Sequence, residues 1–230
     1  MFEHTLALLP ELWLALGQTL AMMAIALGAA LLLGGPLGVL LFAVADGRPL
    51  QNRPMALLLG WIVNMVRSFP FLVLLVALVP VTRAIAGSAA GPLAAAVPLS
   101  VAAIPYFARR VEQSLCGVPR GVIDAARAMG ASELQIVLRV LLPEARCALV
   151  LGVSALAIAL LSTATVAGAL GGGGIGALAI RVGKYRGETD ILVISVAVLV
   201  ALVQLIQFGG SCLARRIDHR QAGPANEGAH

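Results

Sequence analysis

The chain has 230 residues, 60% of them hydrophobic and only 12% charged, with a mean hydropathy of +0.98. Soluble domains carry roughly 45–50% apolar residues, so this excess, gathered into bilayer-length runs, excludes a soluble domain and indicates an integral membrane protein. The net charge of +5 and pI near 9.9 come from arginines flanking apolar runs, which points to a membrane topology signal and not to nucleic acid.

Residues 1–11 read as an extracytoplasmic N-terminus; Glu3 and the lack of a basic leader argue against a cleaved signal peptide. The first apolar run, residues 12–44, is too long for one upright helix and too short for two spans with a turn. It is predicted as one long tilted helix, weakened at Gly34-Gly35-Pro36. A second run, residues 55–85, is also over-long, and Pro70 should bend or break it. Further spans are expected at 92–108, 147–170 and 191–213, which makes five and an all-α membrane protein.

The arginines orient these spans. Arg48 and Arg53 follow the first span; Arg109, Arg110, Arg120, Arg127, Arg139 and Arg146 lie around the segment between the third and fourth; Arg215, Arg216 and Arg220 follow the fifth. The opposite side holds Arg83, Arg181, Lys184 and Arg186, partly offset by Glu188 and Asp190. Lys/Arg bias therefore predicts the N-terminus outside and the C-terminus inside. Cys116, Cys147 and Cys212 fall near cytoplasmic span ends, where disulfides are not expected.

Arg67 sits inside the second apolar run, where a charge is a functional suspect. The favoured reading is plainer: if Pro70 starts the true span, Arg67 lies near the interface and snorkels, with Asn64 and Ser68 as hydrogen-bond partners.

Between spans three and four the chain turns charged and helix-prone. Pro119 should end the incoming helix, a helix should run from Val122, and Gly130 should mark a bend or its end. Alanines 125, 126, 128 and 131 suggest a smooth side that admits a close partner. Ser132 and Gln135 have capping-box spacing, so a second helix should start there and end before Pro143. A helix lying on headgroups is the bland alternative, but Asp124, Glu133 and Glu144 suit a protein groove better than anionic lipid.

Ser162, Thr163 and Thr165 form a polar patch in the fourth span; hydroxyls there usually bond their own helix, and the alternative is a solute path with Val166 and Leu170 as apolar surface. The run Gly171–Gly176 contains G-x-G-x-x-G, but it follows a membrane span and no GK[ST] follows it, so it reads as a flexible outer connection or as close packing. His4, His219 and His230 are terminal, no carboxylate pair lies inside a span, and no Walker motif is present, so no catalytic constellation is predicted. The tail, residues 217–230, is polar and expected to be disordered and cytoplasmic.

The segment D-A-A-x₃-G-x₉-V-x-L-P, Asp124 to Pro143, resembles the cytoplasmic loop of binding-protein-dependent ABC importer permeases of the type I fold, with Asp for the family's usual Glu and Val140 for Ile. R-S-F-P-F at Arg67–Phe71, V-P-L-S-V-A-A-I-P-Y-F-A-R at Val97–Arg109, V-L-L-P-E-A at Val140–Ala145 and G-A-L-G-G-G-G-I-G at Gly168–Gly176 are similar to the permeases of methionine uptake. The resemblance covers about residues 12–216 and implies a type I transmembrane domain there, with a coupling segment at 119–143. It implies that Asp124, Ala125, Ala126 and Gly130 dock an ATPase subunit and that Pro143 marks membrane re-entry. ATP and Mg would be held by that partner, with no cofactor in this chain. The implied assembly is a homodimer with two ATPase subunits and an extracytoplasmic methionine-binding protein. A permease for another amino acid or small solute stays open, as does an autonomous channel or secondary transporter, although the latter usually carries intramembrane carboxylates.

Overall fold

The computed structural model describes residues 2–45, 47–48 and 51–217, with side chains from Leu9 onward. Among these residues every regular element is helical. Helix α1 (Phe2–Ala29) passes through a π turn at Ala30–Gly34 into α2 (Gly35–Val44). The predicted weak point is therefore real, and its cause is Pro36: it offers no N–H to the ladder, and the wider turn before it absorbs the loss. Helix α1 begins at Phe2, so the predicted N-terminal segment 1–11 is not a separate unit.

The second apolar run departs from a single bent span. It divides into α3 (Arg53–Ser68), α4 (Phe71–Ala77) and α5 (Val79–Ala86). Phe69 and Pro70 are extended, and α3 and α4 meet at 99°. The residue before a proline is pushed out of the helical region, which is why the break falls there. Helix α6 (Pro92–Cys116) follows and overruns its predicted end at residue 108 by about two turns.

Helix α7 (Arg120–Ala128) and the short α8 (Glu133–Gln135) come next. The predicted stop before Pro143 does not occur. A π turn at Ile136–Leu141 carries α8 straight into α9 (Leu142–Ala167), with Pro143 in its first turn. The Leu142 N–H reaches back to the Val137 carbonyl, an i→i−5 bond that lets the proline follow without an orphaned partner. The result is one helical rod from Glu133 to Ala169, after which the backbone kinks at Leu170 and Gly171 before the stretch ends at Gly172. Helix α10 (Gly174–Leu178) runs through a π turn to Lys184, and α11 (Thr189–Ile217) closes the described chain. The polar tail lies outside the described residues beyond Ile217.

Four helical stretches, Leu9–Val44, Pro92–Cys116, Glu133–Gly172 and Thr189–Ile217, are long and apolar enough to cross a membrane, and the bent pair brings the count to five. Helix α6 stands at the centre. Against its lower half pack Gly34 and Gly38: a Cβ on Gly34 would stand 2.6 Å from the Ile104 carbonyl oxygen, and one on Gly38 would strike the Ala108 carbonyl oxygen. Small residues four apart let two backbones touch, the usual way helices gain contact where lipid offers no hydrophobic drive.

Cross-helix contacts define two levels of the bundle. At one end Gln18 and Pro92 approach Gly173, Thr19 approaches Gly174, and Ala95 approaches Gly172. At the other, Gly38 meets Ala108, Gly60 meets Arg109, and Gly152 meets Arg110. Seventeen residues of α6 separate Pro92 from Arg109, so the levels lie about 26 Å apart, close to the thickness of a hydrocarbon core.

Replacing Gly38 with Val should lower the stability of the purified protein by about 1–3 kcal/mol, because the clash is with backbone that cannot yield. Thermal unfolding in detergent, compared with Gly17→Val where a Cβ meets nothing within 4 Å, checks this.

Candidate functional site

At the α7 end, the predicted helix–turn–helix unit is held by local signals. Helix α7 stops in the manner of a Schellman cap: Gly130, at φ +81°, donates its N–H to the Arg127 carbonyl at 2.9 Å, and Ala131 donates to the Ala126 carbonyl at 3.1 Å. Ser132 then caps the next helix reciprocally, its N–H donating to Gln135 Oε1 at 2.9 Å and its Oγ accepting from the Gln135 N–H at 3.4 Å. Arg127 and Glu133 bridge the turn at 3.3 Å, an exposed pair worth about 0–1 kcal/mol.

Burial sorts the expected docking residues. Ile123 and Ala126 face inward and share a core cluster with Ile136, Val137 and Leu141. Ala126, expected at the docking surface, is only 3% exposed and packs beneath its outward neighbours. The smooth alanine side divides for the same reason: Ala125 and Ala128 point outward, while Ala126 is buried and Ala131 half-buried. Asp124, Ala125 and Gly130 are exposed. Pro143 is exposed too, but it lies beside Gly117 and Val118 on the long rod, apart from this surface.

Sequence reasoning missed the most prominent outward residues. Met129 is 82% exposed and Leu134 68%, and Val122 lies on the same side as Ala125 and Met129 at helical spacing. An apolar residue ending a charged surface helix was the available signal. Asp124 itself opens onto a cleft of about 230 Å³ that also holds Arg48, Arg120 and Arg127, and the Arg48 guanidinium lies 4.2 Å above the Phe42 ring.

The polar patch on α9 follows the ordinary pattern for hydroxyls in lipid. Thr163 Oγ1 donates to the Ala159 carbonyl at 3.0 Å, and Thr165 Oγ1 to the Leu161 carbonyl at 2.8 Å. Both threonines are half-buried, whereas Ser162, Val166 and Leu170 are exposed at one-turn spacing along the outer face of α9. Arg67 does not bond Asn64 or Ser68 as expected. Ser68 donates to the Asn64 carbonyl at 2.8 Å, and the Asn64 amide oxygen accepts from Arg109 at 3.3 Å. Arg109 also donates to the Gly60 carbonyl at 3.1 Å and pairs with Glu112 at 2.7 Å, tying α3 to α6.

The glycine run is packed and not a flexible connection. Gly172, Gly174, Ile175 and Gly176 are buried. Gln18 Oε1 accepts from the Gly174 N–H at 2.7 Å, and Thr19 Oγ1 accepts from the Ile175 N–H at 3.0 Å. These α1 side chains satisfy the first donors of α10 at membrane depth, where no water can. Positive φ at Gly173 and Gly174 lets the backbone come that close.

The chain matches the family described as binding-protein-dependent transport system inner membrane component over residues 34–223. It is 47% identical over 203 residues to the probable D-methionine transport system permease protein MetI of Vibrio cholerae, covering 88% of this chain and 90% of that one. To the protein of the same description from Pasteurella multocida it is 41% identical over 215 residues, covering 92% and 99%. Among solved structures it is similar to a chain of the MetNI methionine ABC transporter in inward-facing conformations, with a TM-score of 0.87, 39% identity, and coverage of 90% and 96%.

Thr19→Val keeps the volume but removes the acceptor for the buried Ile175 N–H, and should cost about 1–3 kcal/mol in thermal unfolding. Thr19→Ser should recover most of that loss.

Proposed function

This chain belongs to the family of binding-protein-dependent transport system inner membrane components, and on that premise we propose that it is the permease subunit of an ATP-driven importer of methionine. Two relatives above 40% identity over nearly their whole length are described as D-methionine transport permeases, and this carries the choice of cargo. It works as a homodimer in the cytoplasmic membrane, with the N-terminus outside and the C-terminus inside, a reading supported by the arginine distribution. Two cytoplasmic ATPase subunits hold ATP and Mg, and an extracytoplasmic binding protein delivers the solute.

The coupling segment spans residues 119–143. Asp124, Ala125 and Gly130, together with Met129 and Leu134, form the surface that seats in the ATPase; Ala126 supports it from below. Because the Schellman turn and the capping box leave the segment little internal freedom, motion of the ATPase reaches the base of the long rod undamped. Closing of the ATPase dimer on ATP turns the paired bundles outward, and hydrolysis returns them. The path runs along the open face of α9, with Ser162 and Val166 lining it and Thr163 and Thr165 beside them.

Met129→Asp should weaken retention of the ATPase subunit in pull-down at least tenfold, since it puts a charge at an apolar contact while touching nothing in its own chain. Full retention would contradict the docking surface. Val166→Trp should abolish methionine uptake into proteoliposomes while the ATPase stays bound; unchanged uptake would remove this face from the path. The assembled importer should show ATPase activity stimulated by a methionine-loaded binding protein, and stimulation by another amino acid instead would overturn the cargo.

A further inference from the structure

We infer that α3 lies flat in the cytoplasmic leaflet as an interfacial helix, and that residues 71–86 alone make the second crossing. Contacts with α6 carry this. Val63 packs on Ala108 and Leu41, and Gly60 receives the Arg109 guanidinium, so the middle of α3 sits at the α7-end level. Leu75, Val79 and Thr82 lie beside Pro98, Ala95 and Ala94, so α4 and α5 climb towards the glycine turn antiparallel to α6. Helix α3 meets α4, the first part of this climbing segment, at 99°, and it bonds to and packs on α6 at Gly60, Val63 and Asn64, near its own midpoint. A helix at a right angle to a crossing helix runs along the membrane plane.

The side chains of α3 divide as that placement demands. At 100° per residue, Arg53, Gly60, Asn64 and Arg67 fall on one stripe from end to end, and Met55 and Ile62 on the opposite stripe. Between them an outward arc exposes Leu57 (74%), Leu58 (58%), Trp61 (63%) and Met65 (46%). An upright helix would carry Arg67 about 21 Å deeper than Arg53, into the hydrocarbon. A flat one holds both at the same depth, with Trp61 in the aromatic belt and the guanidinium groups beside anionic headgroups. The occupant of the exposed arc is therefore lipid of the inner leaflet. None of this depends on the cargo or on the path along α9.

The test uses the assembled importer in nanodiscs containing phosphatidylglycerol. Cys116, Cys147 and Cys212 are replaced by Ser, and single spin-labelled cysteines are placed at positions 57, 58, 61 and 65. Relative exposure to oxygen and to a nickel chelate gives each label's depth. Labels at 58 and 65, seven residues apart along one side of the helix, are expected within about 3 Å of one another in depth near the headgroup boundary. A depth rising by about 10 Å from 58 to 65 would mean an upright helix and overturn the proposal. Labels shielded from both probes would mean a protein partner and overturn it equally. Independently, in a Trp13→Phe background, the emission lost on Trp61→Phe should be quenched by lipids brominated near the headgroup; stronger quenching by tail-end bromines would also refute it.

Discussion

In hydrocarbon a backbone N–H or carbonyl has no water to turn to, so every departure from the helical ladder needs a partner within the protein. Several irregular places in this bundle answer to that requirement. Pro36 and Pro143 are each preceded by a π turn that shifts the hydrogen bonds by one residue. The glycine run, which turns the chain back at the far level, has its exposed donors taken by Gln18 and Thr19, while Gly91 donates to the Gly171 carbonyl at 2.9 Å. The break at Phe69-Pro70 lies near the opposite level, where the packing of α3 on Ala108 and Arg109 places it close to polar surroundings.

The same constraint explains the order of packing. Helix α6 is the element against which α1, α2, α3 and α9 are set, and its contacts with α2 run through glycine because backbone-to-backbone approach substitutes for the missing hydrophobic drive. The charges stay at the two levels. Arg181 pairs with Glu11 at 2.9 Å towards one end, and Arg109 with Glu112 towards the other, so neither pair interrupts the apolar middle. Thr19 is one of three buried polar residues among the described ones, with Thr82 and Ser195, and its hydroxyl both donates to Ala15 and accepts from Ile175.

What was legible in the sequence was whatever is decided locally. The end of α7 at Gly130 and the cap at Ser132 depend on neighbours a few residues away, and both were readable from spacing alone. The break at Pro70 was readable for the same reason. Burial within the coupling unit was not, because Ala125 and Ala126 differ only in which one meets Ile136 and Leu141 across the turn. Nor could the glycine run be told apart from a loose linker, since its partners Gln18 and Thr19 lie 156 residues away from the groups they bond. Pro143 misled because a proline stops an α-helix but not a π turn.

The rod that starts at Glu133 stays helical through Ala169, before the backbone kinks at Leu170 and Gly171, and so runs about 55 Å, nearly twice the depth of a hydrocarbon core. Gripped near its middle, where Gly152 rests against Arg110, such an element behaves as a lever with a fulcrum. A few ångströms of sideways push at its base swings the opposite tip by a comparable distance in the reverse direction. Ser162 and Val166 ride on that far arm, so in the proposed assembly a stroke delivered at Glu133 would reach them along a single helical element.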